Sequence, residues 1–241
     1  MVCQALFGKK PLSCIALANL TTRDLPMARP SHMVVDLAAL IHNYQWACQL
    51  APKAQTMAVV KANAYGHGAV ACATALQPYA PAFGVACIEE ALALRKAGIH
   101  KPILLLEGTF SPDEVAVAAE HDFWVMVEDP IQVDAILHAR VSKPLKVWIK
   151  VDTGMHRLGL SPQRVDGYYQ QLLASPNVSE DMLFATHFAS ADETSDNFTL
   201  DQIERFMETA KRFKHPISLA NSAAIMAWPQ AHGDWNRAGF M

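Results

Sequence analysis

Residues 103–127 read ILLLEGTFSPDEVAVAAEHDFWVMV, with two apolar runs, Ile103–Leu106 and Phe123–Val127, as candidate strands. Neither run alternates polar with apolar residues. A strand buried on both faces reads this way, and such strands belong to parallel sheets covered by helices. Between the runs, Ser111-Pro112-Asp113-Glu114 sets out a helix start. It offers a capping serine, a proline at the first helical position and a capping-box glutamate. Strand, helix and strand in this order make one βαβ unit.

Outward from this unit the alternation repeats. Further strand candidates are Ala58–Lys61, Phe83–Cys87, Lys146–Val151, Met182–His187, Ile217–Ala220 and Arg237–Met241. Gly98, following Lys96 and Ala97, takes a helix C-cap position. Ser161-Pro162 repeats the cap and the proline, and a long helix from about Thr199 carries Ile203, Phe206, Ala210 and Phe213 on one stripe. One more helix precedes the first strand: Asp36 caps it, and Leu37, Leu40, Ile41, Tyr44 and Cys48 share a face. Eight strands with seven helices between them predict a (β/α)8 barrel of the TIM type. The leading helix, about 36–50, is expected to fill the slot of a helix after strand eight. The alternative is an open doubly wound sheet, but no GxGxxG follows the first strand.

Composition bounds the function. The 241 residues are 51% hydrophobic and 18% charged with a net charge of -3, which is an ordinary globular balance. No basic surplus points to nucleic acid, and no apolar run is long enough to cross a membrane. Cysteines stand at 3, 14, 48, 72 and 87, an odd set without CxxC spacing, which reads as packed thiols in a reducing, cytoplasmic compartment. Residues 1–32 read as an extension, disordered or upstream of the true start, before a domain over 33–241. Lys9 and Lys10 precede an apolar patch, but Pro11, Ser13 and Asn19 interrupt it as a secretory signal, and Leu12-Ser13-Cys14 only loosely resembles a lipoprotein cleavage site.

In a βα barrel the working residues cluster at the C-terminal ends of strands. Strand one ends in Lys61, followed by Tyr65-Gly66-His67-Gly68. Strand five carries Lys150 and leads to Arg157; strand six ends at His187; strand seven leads to Asn221 and Ser222; strand eight carries Arg237 and Gly239. Cations beside small, backbone-exposing residues suit a phosphate. A lysine amine whose charged form is disfavoured by desolvation and cationic neighbours is ready for Schiff-base chemistry. Together they suggest a phosphorylated aldehyde cofactor held through lysine. Each residue alone has a plainer reading: a solvated rim lysine, a hydrogen-bonded core histidine, a salt-bridge arginine, a tight loop. His187 with Asp192 and Glu193 lacks a second histidine at ligand spacing, so no metal is expected.

The stretch Ala58-Val-Val-Lys61-Ala-Asn-Ala-Tyr-Gly-His-Gly68 closely resembles the cofactor signature of the alanine racemase family. The similarity continues through ILLLEG at 103–108, KVDTGMHRLG at 150–159, THFASADE at 186–193, NSAA at 221–224 and DWNRAG at 234–239, and spans Met33 to the end. Related amino-acid decarboxylases share a shorter lysine motif, without Tyr65-Gly66-His67-Gly68. The resemblance implies a fold-type III enzyme with pyridoxal 5'-phosphate on Lys61, which also moves the α-proton on the D-face. It implies that Tyr65, Ser222, Gly239 and Phe240 contact the phosphate, with Asn221 also among the cofactor contacts. Arg237 would hydrogen-bond the pyridine nitrogen and keep it unprotonated. His187 would lie beside the ring and orient Arg237, and Arg157 would lie near the ring hydroxyl and substrate carboxylate. Lys150 matches a lysine carbamylated in many members, and a carbamate there would pair with Arg157.

The implied activity interconverts L- and D-alanine, as a cytoplasmic homodimer supplying peptidoglycan synthesis. Two departures stand out. Ala238 takes the place of a usual proline. The family also continues past strand eight into a mostly β domain that supplies a tyrosine base for the L-face, so this chain is expected to be truncated at about strand eight and impaired alone. The alternatives are a catalytically impaired cofactor-binding barrel and a non-catalytic pyridoxal-phosphate carrier, a class that lacks the Tyr65–Gly68 and Gly154–Arg157 motifs.

Overall fold

The computed structural model describes residues 33–239; the expected extension over 1–32 lies outside them, as do Phe240 and Met241. Eight strands are seen among the described residues: β1 (Gln55–Val59), β2 (Phe83–Val85), β3 (Ile103–Leu105), β4 (Phe123–Val127), β5 (Val147–Lys150), β6 (Leu183–Ala185), β7 (Ile217–Ser218) and β8 (Trp235–Ala238). They form one parallel sheet in the order β7-β6-β5-β4-β3-β2-β1-β8. The ends of that sheet meet where the Arg237 N–H donates to the Ala220 carbonyl at 3.0 Å. The result is the predicted barrel rather than an open sheet.

The strands are apolar on both faces because each serves two cores. Met57, Ala82, Leu104, Met126, Trp148, Leu183 and Ala185 fill the barrel interior. Their neighbours along the strands, such as Ala58, Phe83, Ile103, Val125, Ile149 and Phe184, pack outward against the helices. Trp124 stacks on Trp148 and Trp235 meets both edge-on, with centroids 5.5–6.0 Å apart. All three come from the first half of their strands, so they plug the N-terminal end and leave the C-terminal end to the site.

The helices are α1 (Leu37–Leu50), α2 (Ala69–Leu76), α3 (Ile88–Lys96), α4 (Pro112–Glu120), α5 (Pro130–His138), α6 (Val165–Leu173), α7 (Phe198–Ala210) and α8 (Ser222–Ala227). Asp36 caps α1 as predicted, accepting from the N–H groups of Ala38 and Ala39. This leading helix packs between α2 and α8 and against β1, which is the slot the strand count assigns to it. Gly98 ends α3 at φ +86, with Gly98 N–H on the Arg95 carbonyl and Ile99 N–H on Leu94, a Schellman motif.

Several local expectations shift. The capping box before α4 closes one residue early: Glu114 accepts from the Phe110 N–H at 2.9 Å, and the Ser111 hydroxyl makes no cap bond. Ser161-Pro162 opens a turn, not a helix, and α6 begins at Val165. The reason is that Leu160 still bridges back to Val151, so the chain is not yet free to wind. Strand β1 stops at Val59, two residues short of Lys61, and β8 starts at Trp235, so Arg237 is its third residue.

Candidate active site

Beyond β1 the chain turns the wrong way for L-residues. Ala62, Asn63, Ala64 and Tyr65 all have φ between 49 and 54, a single left-handed helical turn immediately after Lys61. Left-handed backbone costs an L-residue about 1–2 kcal/mol, so four in succession need outside support. Glu90 on α3 supplies part of it: one carboxylate oxygen accepts from the Ala62 N–H at 2.7 Å and the other from the Ala86 N–H at 2.8 Å. Asn63 adds a bond from the Ala69 N–H to its side-chain oxygen. The turn ends at Gly66, with φ +90. It fixes the direction in which Lys61 and Tyr65 leave the strand end.

A cavity of about 570 Å³ opens at the C-terminal ends of the strands. Its walls include Lys61, Tyr65, Lys150, Arg157, His187, Asn221, Ser222, Arg237 and Gly239. Every sequence-predicted site residue within the described range therefore faces one space; Phe240 lies outside that range.

Arg237 is 5% exposed, and burial lowers its pKa to about 10. Its Nη1 donates to the carbonyl and hydroxyl of Ser218, and its Nη2 donates to the carbonyls of Thr186 and Leu219. Four of the five guanidinium N–H groups are thus spent on the seam between β6, β7 and β8. The fifth, on Nε, has no partner among the described residues and belongs to the side chain that lines the cavity. These carbonyls and the Ser218 hydroxyl hold the guanidinium, and His187 stands close enough to feel its charge. His187 is held neutral: burial first, then the charges of Arg237, Lys150, Arg157 and Lys61, lower its pKa to about 3.

Tyr65, Ser222 and Gly239 come together at one end of the cavity. The Gly239 N–H donates to the Ser222 hydroxyl at 2.9 Å, and a Cβ on Gly239 would lie 2.5 Å from the Tyr65 hydroxyl. A side chain there would displace the Tyr65 hydroxyl. Burial raises the Tyr65 pKa, which keeps its hydroxyl a donor. Asn221 has a structural duty as well, its side-chain oxygen capping α8 through the Ala224 N–H. Arg157 is exposed at the mouth and makes no hydrogen bond to the described residues. It follows a loop pinned by Asp152, whose carboxylate accepts from the N–H groups of Gly154 and His156.

Sequence reasoning missed three residues. Glu90 braces the left-handed turn. Glu128, 5% exposed, accepts a 2.8 Å bond from the Lys150 ammonium. Glu107 lines the same cavity. All three are acidic residues next to strand or helix ends, where a solvated carboxylate is the ordinary reading. Only the strand register could have singled out Glu128, since it stands beside Lys150 one step past the Val127–Ile149 pair. Among the described residues no cluster of three His, Cys, Asp or Glu could hold a metal ion.

The alanine racemase N-terminal domain family matches residues 35–241. The alanine racemase of Chromohalobacter salexigens is 47% identical over 215 residues, 89% of this chain and 59% of that protein. The catabolic alanine racemase of Pseudomonas putida is 50% identical over 213 residues, 88% of this chain and 59% of that protein. The crystal structure of the biosynthetic alanine racemase from Pseudomonas aeruginosa matches with a TM-score of 0.82 and 43% identity, covering 85% of this chain and 57% of that one. The chain thus spans a little under three fifths of the length of these relatives. Barrel, lysine turn and cavity fall inside the matched region, and the chain belongs to the alanine racemase N-terminal domain family.

Proposed function

We propose that this chain is the cofactor-bearing barrel of an alanine racemase that uses pyridoxal 5'-phosphate. One observation carries the reading: Lys61, Arg237 and the Tyr65–Ser222–Gly239 group share the walls of one cavity. The donor set fits the cofactor. A lysine amine suits its aldehyde, the Tyr65 and Ser222 hydroxyls beside Gly239 suit its phosphate, and a fixed cationic donor suits its ring nitrogen.

When bound, the cofactor draws electron density from the substrate α-carbon and makes its proton removable. The protein's residues do the rest. Lys61 holds the aldehyde end and then moves the α-proton on one face of the substrate. Racemisation needs proton traffic on both faces, and Lys61 serves one of them. Arg237, always charged, donates from Nε and leaves no proton on the atom it meets, which tempers the electron withdrawal and favours reprotonation over side reactions. His187, neutral and beside the same wall, adds no further charge. Arg157 at the mouth faces the substrate carboxylate, and Tyr65, Ser222 and Gly239 anchor the phosphate.

In this role the protein interconverts L- and D-alanine in the cytoplasm, as a homodimer, and supplies D-alanine for peptidoglycan. No helix among the described residues is long and apolar enough to cross a membrane.

The test is direct. The purified chain is mixed with pyridoxal 5'-phosphate, reduced with borohydride and mapped by peptide mass. A single adduct on Lys61 is expected. No adduct, or adducts scattered over the lysines, overturns the assignment.

A further inference from the structure

The wall opposite Lys61 holds a buried ion pair. Lys150 ends β5 and is 8% exposed; Glu128 follows β4 and is 5% exposed. The Lys150 Nζ donates to Glu128 at 2.8 Å. Lys150 lines the cavity, whereas Glu128 stands behind it. Glu128 is built in from both sides. Its own N–H donates to the Gln132 side-chain oxygen at 2.9 Å, while the Gln132 amide nitrogen donates to the carbonyls of Glu107 and Thr109. Gly108 makes room for that clamp, since a Cβ there would lie 2.5 Å from the Gln132 amide nitrogen and meet the Met126 carbonyl. Glu128 is therefore a carboxylate whose place is fixed by the loop after β3 and the start of α5.

Of the charges around the pair, Arg237 and Arg157 disfavour the Lys150 ammonium and Glu107 disfavours the Glu128 carboxylate, while Arg157 favours that carboxylate, so the direct contact between the two partners is what opposes burial on both sides. Burial pulls Lys150 below the usual lysine range while the Glu128 carboxylate pulls it back up. Burial likewise raises Glu128, and Lys150 opposes it.

We propose that Lys150 works as an unmodified ammonium held by Glu128, and that this carboxylate supplies the negative charge that a carbamate on Lys150 would otherwise bring to the wall. Carbamate formation joins a neutral amine to carbon dioxide, forms an N–C bond and releases one proton. Here it would replace a cation by an anion 2.8 Å from a fixed, buried carboxylate. Two like charges at that distance in a dry wall repel strongly.

The proposal stands apart from the cofactor assignment, because its test uses the chain without cofactor or substrate. The full chain is equilibrated with 13C-bicarbonate near pH 8 and its carbon spectrum is searched for a protein-bound carbamate. None is expected. A carbamate signal that disappears in Lys150→Arg overturns the proposal outright, and this measurement needs no variant at Glu128. Glu128→Gln, checked for folding by circular dichroism, is expected to gain a carbamate signal as Lys150 loses its counter-ion. Glu128→Asp, which keeps the charge, is expected to remain without one. A folded Glu128→Gln chain with no carbamate means that Glu128 is not what protects Lys150, and the proposal fails on that ground.

Discussion

Burial and four neighbouring cations hold His187 neutral down to about pH 3, whereas an unfolded chain takes up that proton near pH 6.5. A histidine whose pKa is depressed in the folded state costs nothing above the unfolded value. Below it the unfolded state binds the extra proton, and stability falls as pH drops from about 6.5 toward 3. We expect this group alone to remove about 1.4 kcal/mol per pH unit across that window. His187→Gln should flatten the slope of urea-unfolding free energy against pH between 6 and 4, and an unchanged slope counts against a neutral, buried imidazole. At this scale most strand-end positions were legible: Lys61, Lys150 and His187 come at or near the ends of apolar runs, whereas Arg237 opens its candidate strand. What fixes them was not. Arg237 takes its orientation from carbonyls of residues 186, 218 and 219, far away in sequence, and no side-chain pattern marks a carbonyl.

The left-handed turn after Lys61 is the least legible element in the chain. Its glycines at 66 and 68 predict a tight loop, but they follow the strained residues instead of relieving them. Local propensity argues against four L-residues in this region, and the bonds to Glu90 and Asn63 override it. Ala62 is exposed, so glycine there removes backbone strain without touching the core. Ala62→Gly is expected to raise stability by about 0.5–1 kcal/mol, the reverse of its effect in a right-handed helix. Urea denaturation measures the sign, and a loss of stability would mean that the turn is not left-handed in solution. Regular elements were easier to read. Asp36, Gly98 and most of the α7 stripe act locally, within a turn of themselves, and the structure keeps them where the sequence puts them, with Phe213 falling past the end of α7. Strand ends were harder, because Asn236 and Arg237 break the apolar pattern although both belong to β8.

For the molecule as a whole, the strand count carried the topology, since parallel strands of this kind leave few alternatives to closure. The leading helix packs over the seam where the barrel closes. The Tyr44 hydroxyl donates to the Thr56 carbonyl at 2.6 Å in a buried contact, which ties α1 to β1 beside the β1–β8 pair. Tyr44→Phe leaves that carbonyl unpaired and is expected to cost about 1–2 kcal/mol of global stability. Hydrogen exchange would distinguish the cases. Faster exchange across all eight strands means that α1 is an integral stave of the barrel, whereas faster exchange in α1 alone means that it is an appendage.

The same seam sets an order of events for a chain made from one end. Gln55 pairs with Trp235, roughly 180 positions later, so the contacts that complete the ring are among the longest in sequence. While the ribosome is still reading the middle of the message, β1 has no neighbour on one side and shows a bare row of hydrogen-bonding groups. Only when residues 235–238 emerge does that edge disappear. Slow elongation late in the message prolongs the time in which two half-made copies can pair edge to edge, and a protein with this seam should depend more on chaperones for its yield than for its final stability.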